Sequence, residues 1–194
     1  MRSIFTAAAL PTAGSTALRI MRDVVKARPG MTILIHAAAG SVGSFASQIA
    51  KSMGSHVIGT ASGEDIDYLK SIGIDNVIDY KRQRFEEKVS GPDAVVDLVG
   101  GETLKRSYNV VKRGGILATT LQPIDESAAQ EAGIQAVQVV MRRNAVDLAE
   151  LARLVETGAV APRLGQTMAL NQAREAQKLS EEGRTYGKII LKVA

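Results

Sequence analysis

The chain has 194 residues, 45% of them apolar and 23% charged, which is enough for one or two soluble domains with a sizeable core. Its net charge of +4 is spread over scattered pairs such as Arg82/Arg84, Lys112/Arg113 and Arg142/Arg143, with no basic run and no interleaved aromatics, so nucleic acid is not an expected partner. There is no cysteine, which excludes a disulfide framework and any Cys-based zinc site. No apolar stretch reaches membrane-spanning length and Met1 to Pro11 is too short and proline-broken for a secretory signal, so the expectation is a cytoplasmic chain without a membrane partner.

In chain order, Thr16 to Lys26 reads as a helix, and the buried run from Thr32 to Ile35 as a strand. The strand breaks at Ala37-Ala38-Ala39-Gly40-Ser41-Val42-Gly43 and gives way to a helix from Val42 to about Met53. His56 to Ala61 is a second strand, followed by a helix from Glu64 to Ile72 that stops at Gly73. Asn76 to Tyr80 is a third strand, trailed by a short charged helix over Arg84 to Val89 and a turn at Ser90-Gly91-Pro92-Asp93. Ala94 to Val99 is near-continuously apolar, as a strand covered on both faces requires. Gly100-Gly101 breaks it, a helix covers Thr103 to Val111, and Gly114-Gly115 opens a fifth strand, Ile116 to Thr120. Gln122 to Ala132 is polar, loop-like or loosely helical. Ile134 to Met141 is a sixth strand and Val146 to Glu156 an amphipathic helix ending at Gly158. A strand over Arg163 to Leu170, a helix over Gln172 to Glu182 and a strand over Lys188 to Val193 complete the chain.

This alternation predicts an α/β fold: a doubly wound parallel sheet of about six strands, the Rossmann fold, with helices on both faces and tail strands that have no place in the sheet. The expected division is an opening helix over 1–28, a dinucleotide-binding domain over 29–160 and a C-terminal tail over 161–194. Strand, small-residue turn and helix N-terminus make an anion site, because the backbone can approach a pyrophosphate and the helix's first N–H groups point at it. The spacing is that of the G-x-G-x-x-G fingerprint, with Ala38 in the first glycine's place and then Gly40 and Gly43. NAD enzymes put a carboxylate about 20 residues further on to hold the ribose 2′-hydroxyl. Here that region is Gly59-Thr60-Ala61-Ser62, without an acid, so NADP is expected over NAD. His36 reads as a packed, hydrogen-bonded residue at a strand end and His56 as a surface residue. No nucleophile elbow and no metal-ligand cluster is present.

The segments Ala7 to Ala17, Ala37 to Gly43, Val77 to Tyr80, Asp97 to Thr103 and Gly187 to Leu191 occur in an order that resembles the zinc-independent quinone oxidoreductase branch of the medium-chain dehydrogenase/reductase superfamily. The resemblance covers essentially the whole chain. It implies an oxidoreductase passing a hydride from NADP(H) to a quinone, enone or similar small-molecule acceptor, without zinc. It also implies an N-terminal GroES-like catalytic domain ahead of the cofactor half. This chain would begin near the junction, its tail would return to that domain, and the proton donors would lie largely outside it, so the catalytic residues are unknown and the fragment alone is expected to hold cofactor without necessarily turning over.

By the resemblance, Ala38, Gly40, Ser41, Val42 and Gly43 hold the pyrophosphate, and Thr16 lies near the nicotinamide. Thr60 and Ser62 lie at the adenosine ribose, Tyr80 at the adenine end, and Val99, Gly100 and Leu121 along the nicotinamide side. Lys188 belongs to a C-terminal Gly-Lys motif near the cofactor. Many relatives carry a lysine or another donor where this chain has Glu64 and Asp65, which leaves Lys81 or Arg82 to supply the charge for a 2′-phosphate. The apolar strand Ile134 to Met141 is expected at a sheet edge, pairing with a second copy in a homodimer. Two other readings stay open: the cofactor part of an enoyl reductase in a polyketide or fatty-acid synthase, and a non-catalytic nucleotide-binding or dimerisation module. A methyltransferase is disfavoured by the pyrophosphate turn and by the lack of an acid ending the second strand.

Overall fold

The computed structural model describes residues 3–121, 123–141, 144–183 and 185–193. Six strands, Thr32–Ile35 (β1), His56–Ala61 (β2), Asn76–Asp79 (β3), Ala94–Asp97 (β4), Ile116–Thr119 (β5) and Gln135–Gln138 (β6), form one parallel sheet in the order β3-β2-β1-β4-β5-β6. The order reverses at β1, the switch point of a doubly wound sheet.

The apolar runs of these strands are explained by two cores. Ile33 and Ile35 of β1, Ala94 and Val96 of β4 and Ala118 of β5 belong to one. Leu34, Val95 and Leu117, one step out of phase, belong to the other. Successive side chains of a strand point to opposite faces, so a sheet covered on both sides needs apolar residues at every position. The first core is closed by the helical run over 4–25 (α1) together with Ser41–Ser52 (α2), Asp65–Ser71 (α3) and Ala145–Glu156 (α6), through Leu18, Phe45, Leu69 and Leu151 among others. The second is closed by Gly101–Ser107 (α4) and Glu126–Ala132 (α5), through Leu104 and Ala129.

α1 is longer than its periodicity predicts. Ser3 caps it by accepting the Thr6 N–H (3.1 Å), and Pro11 is taken in through a π-type stretch over Leu10–Gly14. A second π-type stretch, Ile20–Val25, ends at Lys26 in the left-handed region (φ 53°). β4 stops at Asp97, short of Val99, because the Asp97 carboxylate accepts the Gly100 N–H (2.9 Å) and turns the chain; α4 accordingly starts at Gly101. β6 is shorter than expected because its neighbour β5 offers four residues, Ile116 to Thr119, each paired once. Within the polar stretch after β5, Asp125 caps α5 by accepting the Ala128 N–H (3.0 Å), while Gln122 lies outside the described residues. The charged segment after β3 is a single 3-10 turn, Phe85–Glu87. The tail strands Leu164–Ala169 (β7) and Lys188–Lys192 (β8) pair in parallel as a separate sheet, connected by a 3-10 turn and the helix Ala173–Glu181 (α7).

Candidate functional site at the switch point

The turn after β1 is built from backbone constraints. Ala37 adopts φ 51°, unusual for a residue with a side chain, and its carbonyl accepts the Gly40 N–H (2.9 Å). Thr60 at the end of β2 holds the turn from the side: its Oγ1 accepts the Ala37 N–H (3.2 Å) and its carbonyl the Ala38 N–H (3.1 Å). α2 then starts against the turn so closely that a Cβ at Gly43 would sit 2.2 Å from the Ala37 oxygen. The glycine is required by that approach. Ala38, in the first glycine's place, is fully buried, and a Cβ at Gly59 on β2 would meet its methyl at 2.8 Å. A glycine on the neighbouring strand thus makes room for the alanine in the fingerprint.

Gly40 is the N-cap of α2 and offers no capping side chain, so the helix's first N–H groups and its positive dipole end remain directed outward. Gly40, Ser41, Val42, Gly43 and Leu121 line one cavity of about 220 Å3 with Ala37, Leu98 and Thr120. Thr60, Tyr80 and Val99 line a second, of about 280 Å3, with His36, Ala37, Phe85, Thr103 and Arg106. Ala37 is common to both, so they meet at the turn, on either side of β1 where the strand order reverses. Lys188 shares a third hollow, about 320 Å3, with Ser41. Ser62 donates to the Tyr80 hydroxyl (3.1 Å), and Gly100 (φ 76°) is fixed beneath Val99 by Asp97. Four of the expected site residues line none of these three hollows: Thr16 is buried in α1, its hydroxyl donating to the Thr12 carbonyl (2.8 Å), Ala38 is buried with its N–H given to the Thr60 carbonyl, and Ser62 and Gly100 stand beside lining residues rather than among them.

His36 is packed as its position predicts. Nδ1 lies 3.3 Å from Thr60 Oγ1, Nε2 lies 3.1 Å from Ser107 Oγ, and the ring meets Phe85 edge-on at 4.5 Å. Burial, helped by the Arg106 charge, pushes its pKa down to about 4, so the imidazole is neutral near pH 7. Arg106 caps this hollow by stacking on Phe85 (4.9 Å) while donating to Glu86 (2.9 Å). Asp97 is wholly buried, and burial raises its pKa against the hydrogen bonds from Gly100 and Thr119. Its second oxygen, Oδ1, has no partner among the described residues.

Of the basic residues expected to meet a 2′-phosphate, Arg82 is turned toward Asp79 (3.6 Å) and Lys81 is exposed. The cation that lies at Asp65 is Arg163, far off in sequence, and the spacing of motifs held no signal for it. Gly59 and the left-handed Ala37 were equally invisible in one dimension, since each matters only through a neighbour across the turn.

The residues fit a dinucleotide: amides at a helix start that no side chain caps among the described residues, a glycine forced by close approach, and two joined hollows flanking the switch point. Among the described residues no three His, Cys, Asp or Glu side chains come together as a metal site, and no helix is long and apolar enough to cross a membrane.

Comparison with known proteins agrees with this geometry. A family profile described as zinc-binding dehydrogenase matches residues 72–191. A polyketide synthase of Streptomyces halstedii is 32% identical over 198 residues, covering 96% of this chain and 4% of that protein. The structure of a quinone oxidoreductase from Coxiella burnetii superposes with a TM-score of 0.92 at 33% identity, over 99% of this chain and 62% of that one. A mycobacterial protein whose structure contains NADPH superposes with a TM-score of 0.89 at 27% identity, over 98% of this chain and 65% of that one. The chain thus spans less than two thirds of the length of each of these relatives. It belongs to the zinc-binding dehydrogenase family, as the cofactor-binding half of a quinone oxidoreductase-like member of the medium-chain dehydrogenase/reductase superfamily.

Proposed function

We propose that this chain binds NADP(H) across the switch point and serves an oxidoreductase that reduces a quinone, enone or similar conjugated carbonyl acceptor without zinc. The observation that carries the reading is the pair of hollows meeting at Ala37, one beside the outward amides of α2 and the other beside Thr60 and Tyr80. They match the two ends of a dinucleotide laid over a sheet's carboxyl edge. The first N–H groups of α2 would hold the pyrophosphate, with Lys188 supplying a positive charge beside Ser41. The exposed side chain of Leu121, with Leu98 and Thr120 in the hollow beside α2, would wall the nicotinamide and exclude water, whereas Val99 shares the hollow of Thr60 and Tyr80. When bound, the reduced nicotinamide supplies the hydride; these residues orient the ring and keep the reacting face dry. The NADPH-bound mycobacterial neighbour supports the choice of cofactor, and the Coxiella quinone oxidoreductase the class of acceptor.

A second reading rests on the polyketide synthase relative, which covers 96% of this chain: the acceptor would be an enoyl thioester. Following NADPH consumption by the chain together with whatever catalytic domain its gene encodes, against a panel of quinones, enones and enoyl thioesters, decides between them. Turnover with quinones or enones supports the first reading and turnover with enoyl thioesters the second; cofactor binding without turnover on any acceptor leaves a nucleotide-binding module.

Cytoplasmic residence and a homodimer belong to the same proposal. β6 ends the sheet, and the apolar side chains of Val140, Val146 and Leu148 are exposed just beyond it. An unpaired apolar edge favours strand pairing with a second copy. Light scattering should give twice the chain mass, and a clean monomer at high concentration would remove the dimer from the account.

A further inference from the structure

Arg163 lies between α6 and β7, 98 residues from Asp65, yet its Nη1 donates to the Asp65 carboxylate (2.6 Å) and to the Ala39 carbonyl (3.3 Å). Ala39 immediately precedes Gly40 in the dinucleotide turn, and Asp65 lies three residues beyond Ser62 at the end of β2. Those two strand ends bracket the place where this fold holds the adenosine ribose. The guanidinium stacks on the Tyr68 ring at 3.9 Å, and its side chain is only 14% exposed. The charge is therefore held in one position beside the dinucleotide turn and the start of α3. Both Nη1 hydrogens are engaged, whereas Nε and Nη2 make no hydrogen bond among the described residues.

A free carboxylate at this end of β2 selects a ribose 2′-hydroxyl and repels a 2′-phosphate, whereas a nearby arginine accommodates the phosphate. Asp65 is not free. It is spent on an arginine whose planar fork still has donors to offer, the geometry that phosphate oxygens accept in pairs. We propose that Arg163, supplied by the linker to the tail sheet and held in place by Asp65 and Tyr68, is the residue that reads the 2′-phosphate of the bound dinucleotide. This rests on the reading that the turn binds a dinucleotide and adds to it the determinant of cofactor choice. It also joins cofactor to tail, because the Arg163 carbonyl accepts the Lys188 N–H (2.9 Å) at the start of β8.

Equilibrium titration of NADPH and NADH into the whole chain, read by nicotinamide fluorescence, tests it with two variants. The unaltered chain is expected to prefer NADPH. Arg163→Gln should weaken NADPH by about tenfold or more, about 1.4 kcal/mol, while NADH shifts by less than about threefold. Asp65→Asn removes a negative charge and releases Nη1, so NADPH should bind more tightly and the NADPH/NADH ratio should rise. Circular dichroism melts establish whether each variant folds; if Arg163→Gln does not, Asp65→Asn still decides. In hydrogen exchange, NADPH should protect the Lys188 amide more than NADH does. Equal losses for both cofactors in Arg163→Gln, or an unchanged ratio in Asp65→Asn, would reduce Arg163 to a latch for the tail and overturn the proposal. Equal or tighter binding of NADH by the unaltered chain would also overturn it while leaving the dinucleotide site standing. Binding of neither cofactor would remove the site itself, and this proposal with it.

Discussion

Gly59→Ala is the substitution that most sharply probes how this turn tolerates an alanine in its first glycine position. An added Cβ would lie 2.8 Å from the Ala38 methyl, 3.1 Å from Leu69 Cδ1 and 3.6 Å from Ile74 Cγ2. Carbon atoms rest at about 3.5–4.0 Å, so the contact with Ala38 is short by roughly 1 Å. Leu69 Cδ1 ends a flexible side chain, but the Ala38 methyl is fixed to a backbone that is itself tied to Thr60 by a 3.1 Å hydrogen bond. Overpacking of this kind costs about 1–3 kcal/mol. For a chain of this size that is a fall of about 2–4 °C in Tm per kcal/mol. The double variant Ala38→Gly/Gly59→Ala moves the methyl from the turn to the strand and relieves the clash. Urea unfolding followed by circular dichroism, which needs no tryptophan, should therefore give a coupling of about 1 kcal/mol or more in favour of the double variant. Additive single effects would refute the view that Gly59 and Ala38 share one space.

Other expected outcomes follow from the buried charges. The neutral His36, with its pKa lowered to about 4 in the folded state against about 6.5 unfolded, contributes stability that is complete above pH 6.5 and is lost as the pH falls toward 4, up to about 3 kcal/mol. Unfolding midpoints measured across that window should fall for the unaltered chain and flatten in His36→Gln; parallel slopes would refute it. Asp97 works in the opposite direction, since burial raises its pKa and folding is favoured as it protonates. Asp97→Asn should keep acceptors for Gly100 and Thr119 and cost under about 1 kcal/mol, whereas Asp97→Ala should cost about 2–4 kcal/mol in chemical unfolding by orphaning both donors. Arg22 joins α1 to α6 through Asp147 (2.8 Å) and Glu150 (2.7 Å), and the Asp147 side chain is 8% exposed. Arg22→Ala should cost about 2–3 kcal/mol by thermal or urea unfolding, less than a fully buried pair because Arg22 itself is one-third exposed, and Asp147→Asn should restore much of the loss.

What was legible in one dimension was what repeats or punctuates. The two-faced apolar strands, the glycine stops and the Ala38/Gly40/Gly43 spacing carry their meaning locally, and they lead to the doubly wound parallel sheet and to the turn at its switch point. Element ends were less legible because a partner sets them: β6 stops where β5 stops, and β4 stops where Asp97 finds the Gly100 N–H. The length of α1 was hidden by Pro11, whose absence of an N–H the π-type turn absorbs. Within the site, nine of the expected residues come together in three adjoining hollows, whereas Ala38, Ser62 and Gly100 line none of them and Thr16 stays inside α1. Arg163 could not be read at all, because its role rests on Asp65 and Ala39, which folding alone brings beside it.

The central claim, that the outward amides of α2 hold a dinucleotide, is tested most directly at Ser41, which is exposed and begins the helix. A carboxylate there suits the helix dipole and should hold or raise the melting temperature, yet it would face the pyrophosphate with like charge. NADPH titrated into the unaltered chain should bind saturably, one per chain, with enhanced nicotinamide fluorescence, and Ser41→Glu should weaken that binding by about tenfold or more while melting no lower. Undiminished binding in Ser41→Glu, or no saturable binding in the unaltered chain, would contradict the account.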